Sequence, residues 1–324
     1  MEQTLLYLSK ADVEACRIKM REVISTVESV FVEKGHGRVE MPPKPGVHSR
    51  PDSFIHAMPA FVPKDEAIGI KWVSGYPNNL KKGLPYINGL LILNDPDTGI
   101  PLSVMDCVWV TAMRTGAATA VSAKCLARPD SSVLGILGAG VQGFTNLLAL
   151  REIFPIRTVV VYDIDPDQVD RYEDRVRGTG SGIDVVRAAT PRQAVQEMDM
   201  VVTAGPILKV PHATIKKGWL SPGAFASLVD FDSYWDREAL VQVDRFTTDD
   251  IGQLKHYREL GFFSGIPEVY ADLGELVAGL KPGRGSATER TIACNLGLAI
   301  EDIAVAKLIY RKAVRLGLGT RLAL

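Results

Sequence analysis

Cysteine is scarce in this chain: Cys16, Cys107, Cys125 and Cys294 are the only 4 in 324 residues, and they stand far apart with no CxxC pair. That spacing argues against a disulfide scaffold or a zinc knuckle and suits buried thiols in a reducing compartment. The 5 histidines show no ligand spacing either, so no metal is expected. A charge excess of one sign is also missing. The formal net charge of -1 argues against nucleic acid or an acidic membrane surface as partner, because both demand a basic field. No uninterrupted apolar run approaches the length of a membrane span. The opening MEQTLLYLSKADVEACRIK carries an acid at position 2 and no sustained apolar core, so it does not read as a signal peptide and a cytoplasmic protein is expected. No internal repeat or low-complexity tract is present. With 46% hydrophobic and 23% charged residues, the composition is that of a globular enzyme, and the length exceeds what one hydrophobic core usually organises.

Residues 132–163, SVLGILGAGVQGFTNLLALREIFPIRTVVVYD, organise the chain. The β-favouring run of Val133, Leu134, Ile136 and Leu137 meets Gly138-x-Gly140-x-x-Gly143, and helix-spaced Leu147, Leu148, Leu150 and Ile153 follow. A second strand, residues 158–162, ends in Asp163, about twenty residues beyond the last glycine, where a dinucleotide-binding fold needs an acid. Gly138 permits the tight turn, Gly140 lets the backbone approach a pyrophosphate, and Gly143 lets helix and strand pack closely. The helix N-terminus, with Val141 and Gln142 in its first turn, supplies unpaired N–H groups to the phosphates. Asp163 would accept both ribose hydroxyls and repel a 2′-phosphate, so NAD is favoured over NADP.

Before this unit, Ser9 offers an N-cap for one long amphipathic helix that runs to about Gly35. Prolines at 42, 43 and 45 then force an extended stretch. Short β-type runs at 54–58, 67–73, 86–93 and 102–105 predict an antiparallel domain, and alanine-rich 106–126 predicts a helix leading out of it. After Asp163, strands at 184–187, 200–204, 224–229 and 245–248 alternate with helices near 167–177, 192–197, 235–241, 251–260 and 267–280. That rhythm predicts a Rossmann-type doubly wound parallel sheet, α/β in class, beside a smaller α+β domain. A final helix over 288–315 returns to the first domain. The domains are expected at 1–128 with 286–324, and at 129–285. Ligands of such sheets sit outside the carboxyl ends of the strands, which singles out Thr203, Ala204 and Gly205, together with 228–232.

Three polar residues stand in apolar settings. Lys71 lies within IGIKWV, where a buried lysine needs an anion, although an edge-strand surface lysine would fit the same pattern. Arg114 lies in VTAMRTGAATA, where its planar fork suits a carboxylate, either of a ligand or in a structural salt bridge. Asp232, with Asp230 just before it, follows an apolar strand in SLVDFDSYW and could act on a ligand or simply cap the next helix.

The pieces MPAF (58–61), IKWVSGYPNN (70–79), LNDPDTGIPLSVMD (93–106), VTAMRTGAATAVSAKCLAR (110–128), ILGAGVQG (136–143), DLGELVAGLKPGR (272–284) and LGLAIEDIAVAKLIY (296–310) closely resemble the ornithine cyclodeaminase/mu-crystallin family. The resemblance spans nearly the whole chain. It implies an NAD-binding Rossmann domain joined to a dimerising substrate domain, with the active site between them. It also implies that Lys71 and Arg114 hold the α-carboxylate of an amino or imino acid, and that Asp232 works at the nitrogen or on a water. Lys44, in MPPK, occupies the place of an arginine that family members often set beside the carboxylate. Two departures matter. His56 stands where ornithine cyclodeaminases place a glutamate before Met-Pro, and Val229-Asp230-Phe231-Asp232 replaces a glycine-containing VGxD. Both put ornithine in doubt and favour net oxidation or reduction at a C–N bond. The alternatives are a cyclodeaminase that recycles its NAD and a non-catalytic, mu-crystallin-like binding protein.

Overall fold

A computed structural model describes residues 3–324, and the chain divides into two compact units, Met1–Arg114 with Gly297–Leu324, and Thr115–Leu296. The first division falls inside the helix expected to lead out of the antiparallel domain, and the second eleven residues beyond the expected one at 285/286.

The first unit opens with strand β1 (Thr4–Leu8) and helices α1 (Lys10–Ala15) and α2 (Met20–Gly35). Strands β2 (Gly46–Val47), β3 (Phe54–Val62), β4 (Ala67–Gly75), β5 (Ile87–Asn94) and β6 (Pro101–Asp106) follow, and then helix α3 (Val108–Leu126). The long N-terminal helix expected from the sequence is two helices. Ser9 does cap the first, in a reciprocal box with Asp12. Arg17 then takes a left-handed conformation at φ 49°, which ends the ladder, and the Lys19 N–H donates to Glu22 Oε2 at 2.8 Å to start the second. Apolar periodicity ran through the break because buried Val13 of α1 and Met20, Val23, Ile24 and Val27 of α2 continue one apolar pattern along the sequence.

In the second unit, β7 (Val133–Leu137), α4 (Val141–Leu150), β8 (Thr158–Tyr162), α5 (Pro166–Gly178), β9 (Asp184–Arg187), β10 (Met200–Thr203) and β11 (Phe225–Leu228) come first. They are followed by α6 (Arg237–Val241), β12 (Arg245–Thr248), α7 (Ile251–Glu259), β13 (Ala271–Asp272), α8 (Leu273–Val277) and β14 (Thr291–Cys294). Among the described residues these strands form one parallel sheet in the order β13-β12-β14-β11-β10-β7-β8-β9. The order reverses at β7, so the glycine turn sits at the topological switch point. Two expected helices are revised. Residues 267–280 shorten to α8 after a short strand, and the 192–197 helix is a 3-10 turn over Pro191–Ala194. The 288–315 helix is likewise corrected, because its first turns are β14, a fully buried strand between β11 and β12. A four-residue apolar run fits strand or helix equally until its neighbours are known.

The chain returns to the first unit as α9 (Ala299–Leu316) and β15 (Thr320–Ala323). Its sheet runs β15-β1-β6-β5-β4-β3-β2, antiparallel except for β1 against β6, and α9 packs across β3, β4 and β5. Cross-strand register puts Met58, Lys71, Leu91 and Met105 in one buried row beneath that helix. On the opposite face Trp72 pairs with Leu90, and these remain 50% and 47% exposed.

Candidate active site

Lys71 is fully buried on β4, which removes the surface-lysine reading. Its Nζ lies 2.6 Å from Asp302 Oδ2 on α9 and 3.4 Å from Thr111 Oγ1 on α3. Arg114, also on α3, donates from Nε to Asp302 Oδ1 at 3.0 Å and from Nη1 to Glu301 Oε2 at 3.1 Å. The structural salt bridge is therefore real, and it binds both cations to one helix end. Burial and the Arg114 charge push the Lys71 pKa down, with Asp302 opposing them. Lys44 joins the group: buried, it donates from Nζ to the Gly297 carbonyl at 3.0 Å. Gly297 has φ 77°, and a Cβ there would lie 2.3 Å from Arg114 Nη1, so only glycine admits the guanidinium. Cys107 is buried beside Lys71, and desolvation lifts its thiol to about 11, so it stays neutral. His56 lies on the same sheet face, paired with Val73 and stacked on Phe54 at 4.3 Å. Sequence reasoning missed Glu301 and Asp302. Their signal was two adjacent acids at the start of an otherwise apolar helix, in AIEDIAVA.

The second unit gathers the remaining candidates at the carboxyl ends of its strands. Gly138 N–H donates to the Tyr162 carbonyl at 2.9 Å, and Ala139 N–H donates to Asp163 Oδ2 at 2.8 Å, so Asp163 also ties down the glycine turn. A Cβ on Gly143 would come 2.1 Å from the Gly138 carbonyl, which is the close helix–strand approach the motif requires. Gly140 has open space where a Cβ would stand, and no side chain caps α4 there. Together with the half-exposed Val141 and neighbouring Gln142 in the first turn, this cradle fits a pyrophosphate. Thr203 and Ala204 close in from β10: Ala204 N–H donates to Leu137 O at 2.8 Å, and a Cβ on Gly138 would lie 2.6 Å from Ala204 O. The Thr203 hydroxyl is committed inward, donating to Asp230 Oδ1 at 2.6 Å and accepting from Trp235 Nε1 at 3.3 Å.

Neither Asp230 nor Asp232 caps the next helix, because Asp236 does so by accepting from Glu238 N–H at 3.0 Å. Asp230 takes the Thr203 hydroxyl and the Gly205 N–H, the latter at 2.9 Å, on its two oxygens. Burial outweighs those donors and pushes its pKa up to about 7. Asp232 is buried at 3% exposure with Oδ1 lacking a hydrogen-bond partner, and it lines a cavity of about 230 Å³ with Trp235, Arg237 and Leu240. Desolvation raises its pKa, against backbone N–H groups of Asp232 and Phe263 that lower it. Between them Phe231 is left-handed at φ 63°, a strained state for a bulky residue. Its ring is buried against Tyr257, Phe262 and Phe263, with centroids at 4.9, 5.8 and 4.9 Å. The bulk of Phe231 thus serves to set the turn that carries the two acids.

The fold and these sites define a class, the NAD-dependent oxidoreductases that act at the C–N bond of a small amino acid or its imine. The family model "Ornithine cyclodeaminase/mu-crystallin family" matches residues 3–316, and the chain belongs to that family. It is 35% identical to an alanine dehydrogenase of Archaeoglobus fulgidus, over 98% of both chains. It is 30% identical to the ketimine reductase mu-crystallin of Mus musculus, over 79% of this chain and 80% of that one. The structure of Thermococcus litoralis Delta(1)-pyrroline-2-carboxylate reductase in complex with NADH and L-proline superposes with a TM-score of 0.89 at 36% identity, covering 98% of this chain and 99% of that one. An archaeal alanine dehydrogenase dimer with bound NAD gives 0.88 at 33%, covering 99% and 100%.

Two outcomes are expected. Asp163→Ser should loosen NAD and narrow its advantage over NADP, read by equilibrium titration of both; wild-type protein that prefers NADP would contradict the role given to Asp163. For Asp230 the folded pKa lies above the unfolded value of about 3.9, so the native state holds the extra proton between those values and stability falls as pH rises through them. Wild type should therefore lose stability relative to Asp230→Asn from about pH 4 to about pH 7, by roughly 4 kcal/mol at most, and level off above. Denaturant unfolding of both proteins across that window tests it, and a constant gap would mean that Asp230 is ionised throughout.

Proposed function

We propose that this protein catalyses net oxidation or reduction at a C–N bond, as an amino acid dehydrogenase or imine reductase. The observation that carries this reading is the convergence of Lys44, Lys71 and Arg114 on residues 297–302, a buried cationic receptor for one carboxylate. When bound, NAD supplies the hydride acceptor, and the chain's residues do the rest. Gly138, Gly140, Val141, Gln142 and Gly143 hold the pyrophosphate, Asp163 the ribose, and Thr203 and Ala204 support the turn. Lys71, Arg114 and Lys44 fix the substrate carboxylate, which orients the Cα–H bond. As that bond breaks, its electron pair leaves as hydride and an iminium remains on the substrate. Asp232, with its raised pKa and unpartnered oxygen, takes a proton from the water that attacks the iminium carbon, and a 2-oxo acid and ammonia leave. In reverse, the same residues would hold and protonate an imine, with the hydride that reduces it supplied by NADH when bound. His56, stacked on Phe54 and lining the substrate side of the sheet, brings no carboxylate charge to pair with a second ammonium, which favours net redox over cyclodeamination. We place the protein in the cytoplasm, a reducing compartment that suits its free and mostly buried cysteines. We also propose a homodimer through the uncovered apolar face that carries Trp72 and Leu90.

NADH absorbance over a panel of amino acids, 2-oxo acids with ammonia, and cyclic imines tests the activity. Silence across the panel would leave a binding protein, and ammonia release from ornithine without NADH would mean a cyclodeaminase. Arg114→Ala should weaken substrate binding by on the order of 3 kcal/mol. Asp232→Asn should instead lower turnover by about a hundredfold or more while substrate and NAD still bind. Near-normal turnover across pH in that variant would move the proton chemistry elsewhere. For assembly, sedimentation should give twice the 35.3 kDa chain mass, and Trp72→Arg with Leu90→Arg should give the monomer; a monomeric wild type at micromolar concentration rejects the dimer.

A further inference from the structure

Among the described residues, Asp302 is the one carboxylate that touches both Lys71 and Arg114, with Oδ2 on Lys71 and Oδ1 on Arg114. Glu301, its neighbour, reaches Arg114 alone of the two, through Nη1, and its Oε1 also accepts from the Leu298 N–H at 3.3 Å. Both acids are fully buried on a helix that packs over β4. Lys71 and Arg114 meet on Asp302, and Lys44 reaches the same helix end through the Gly297 carbonyl, so three cations converge on residues 297–302. Charges this deeply buried are costly unless paired, so their pairing fixes the geometry before any ligand arrives.

We propose that Asp302 is a positioning residue for the reaction: it bridges Lys71 and Arg114, holds Lys71 in its charged form, and makes the pair a pre-set receptor for a single carboxylate. The inference rests on the reading that Lys71 binds substrate. It follows from the surroundings of Lys71, where the charged or titratable groups are Asp302 from α9, Arg114 from α3 and Cys107 just before α3, while Met58 and Leu91 flank it on the neighbouring strands. Asp302 and a thiolate at Cys107 favour the ammonium, Arg114 and burial disfavour it, and Cys107 is neutral at physiological pH. Removing the Asp302 charge therefore lowers the pH at which Lys71 loses its proton.

The test uses Asp302→Asn, Lys71→Met, the double variant and Glu301→Gln in the full-length protein. L-alanine with NAD and Δ1-pyrroline-2-carboxylate with NADH serve as probes, with kcat and KM followed from neutral to strongly alkaline pH. Asp302→Asn should shift the alkaline limb of kcat/KM downward by about one pH unit or more, chiefly through KM. Glu301 pairs with the Arg114 guanidinium, which keeps its charge, and not with Lys71, so the limb of Glu301→Gln should stay in place. In the Lys71→Met background, adding Asp302→Asn should leave the pH profile unmoved, and any further rise in KM reports the lost contact with Arg114. An unmoved limb in Asp302→Asn, or a limb that still shifts in the double variant, overturns the positioning role. If Asp302→Asn alone does not fold, the comparison of the double variant with Lys71→Met decides. A Lys71→Met protein with unchanged KM, or a wild type that turns over neither probe, removes the underlying reading of the site and this inference with it.

Discussion

The ion cluster under α9 constrains the first unit more than any other contact. Lys71, Asp302, Arg114 and Glu301 are all withdrawn from water, and each would be costly to bury alone. Their pairing fixes the helix against the sheet, since Asp302 can reach β4 and α3 at once only in one register. It also explains a glycine at 297, because the guanidinium occupies the space of a side chain. An apolar helix could pack on this sheet without any of these charges. What the charges add, on the proposed reading of the site, is a set of donors already desolvated and aimed, so that a ligand carboxylate would meet groups whose reorganisation was completed during folding.

The second unit prepares its end of the chemistry by topology. A parallel sheet places every strand's carboxyl end on one edge, and the reversal at β7 opens that edge beside the glycine turn. Onto the same edge β8 brings Asp163, β10 brings Thr203, and the turn after β11 brings Asp230 and Asp232. The two acids have divided roles because of their partners. Asp230 spends both oxygens on Thr203 and Gly205 and so braces the loop after β10, whereas Asp232 keeps an oxygen unpartnered. Phe231 holds them apart in a strained conformation, offset by the aromatic cluster that buries its ring.

Much of this was legible along the chain because it is local chemistry. The glycine spacing, the acid after β8, the strand–helix alternation and the polar residues Lys71, Arg114 and Asp232 in apolar runs all follow from periodicity and side-chain type within a few turns. The sequence by itself thus determined the class of fold, the cofactor and the residue types available for the chemistry. Tertiary structure decided what depended on partners far away in sequence. The run 291–294 became a central strand because β11 and β12 flank it, and the N-terminal helix breaks at left-handed Arg17, a change that leaves no mark on hydrophobic periodicity. Above all, only the fold could show that Lys71 and Arg114 meet Asp302. The electrostatic state of a buried lysine is set by charges across the core, and the carboxylate that pairs with Lys71, Asp302, lies more than two hundred residues away along the chain.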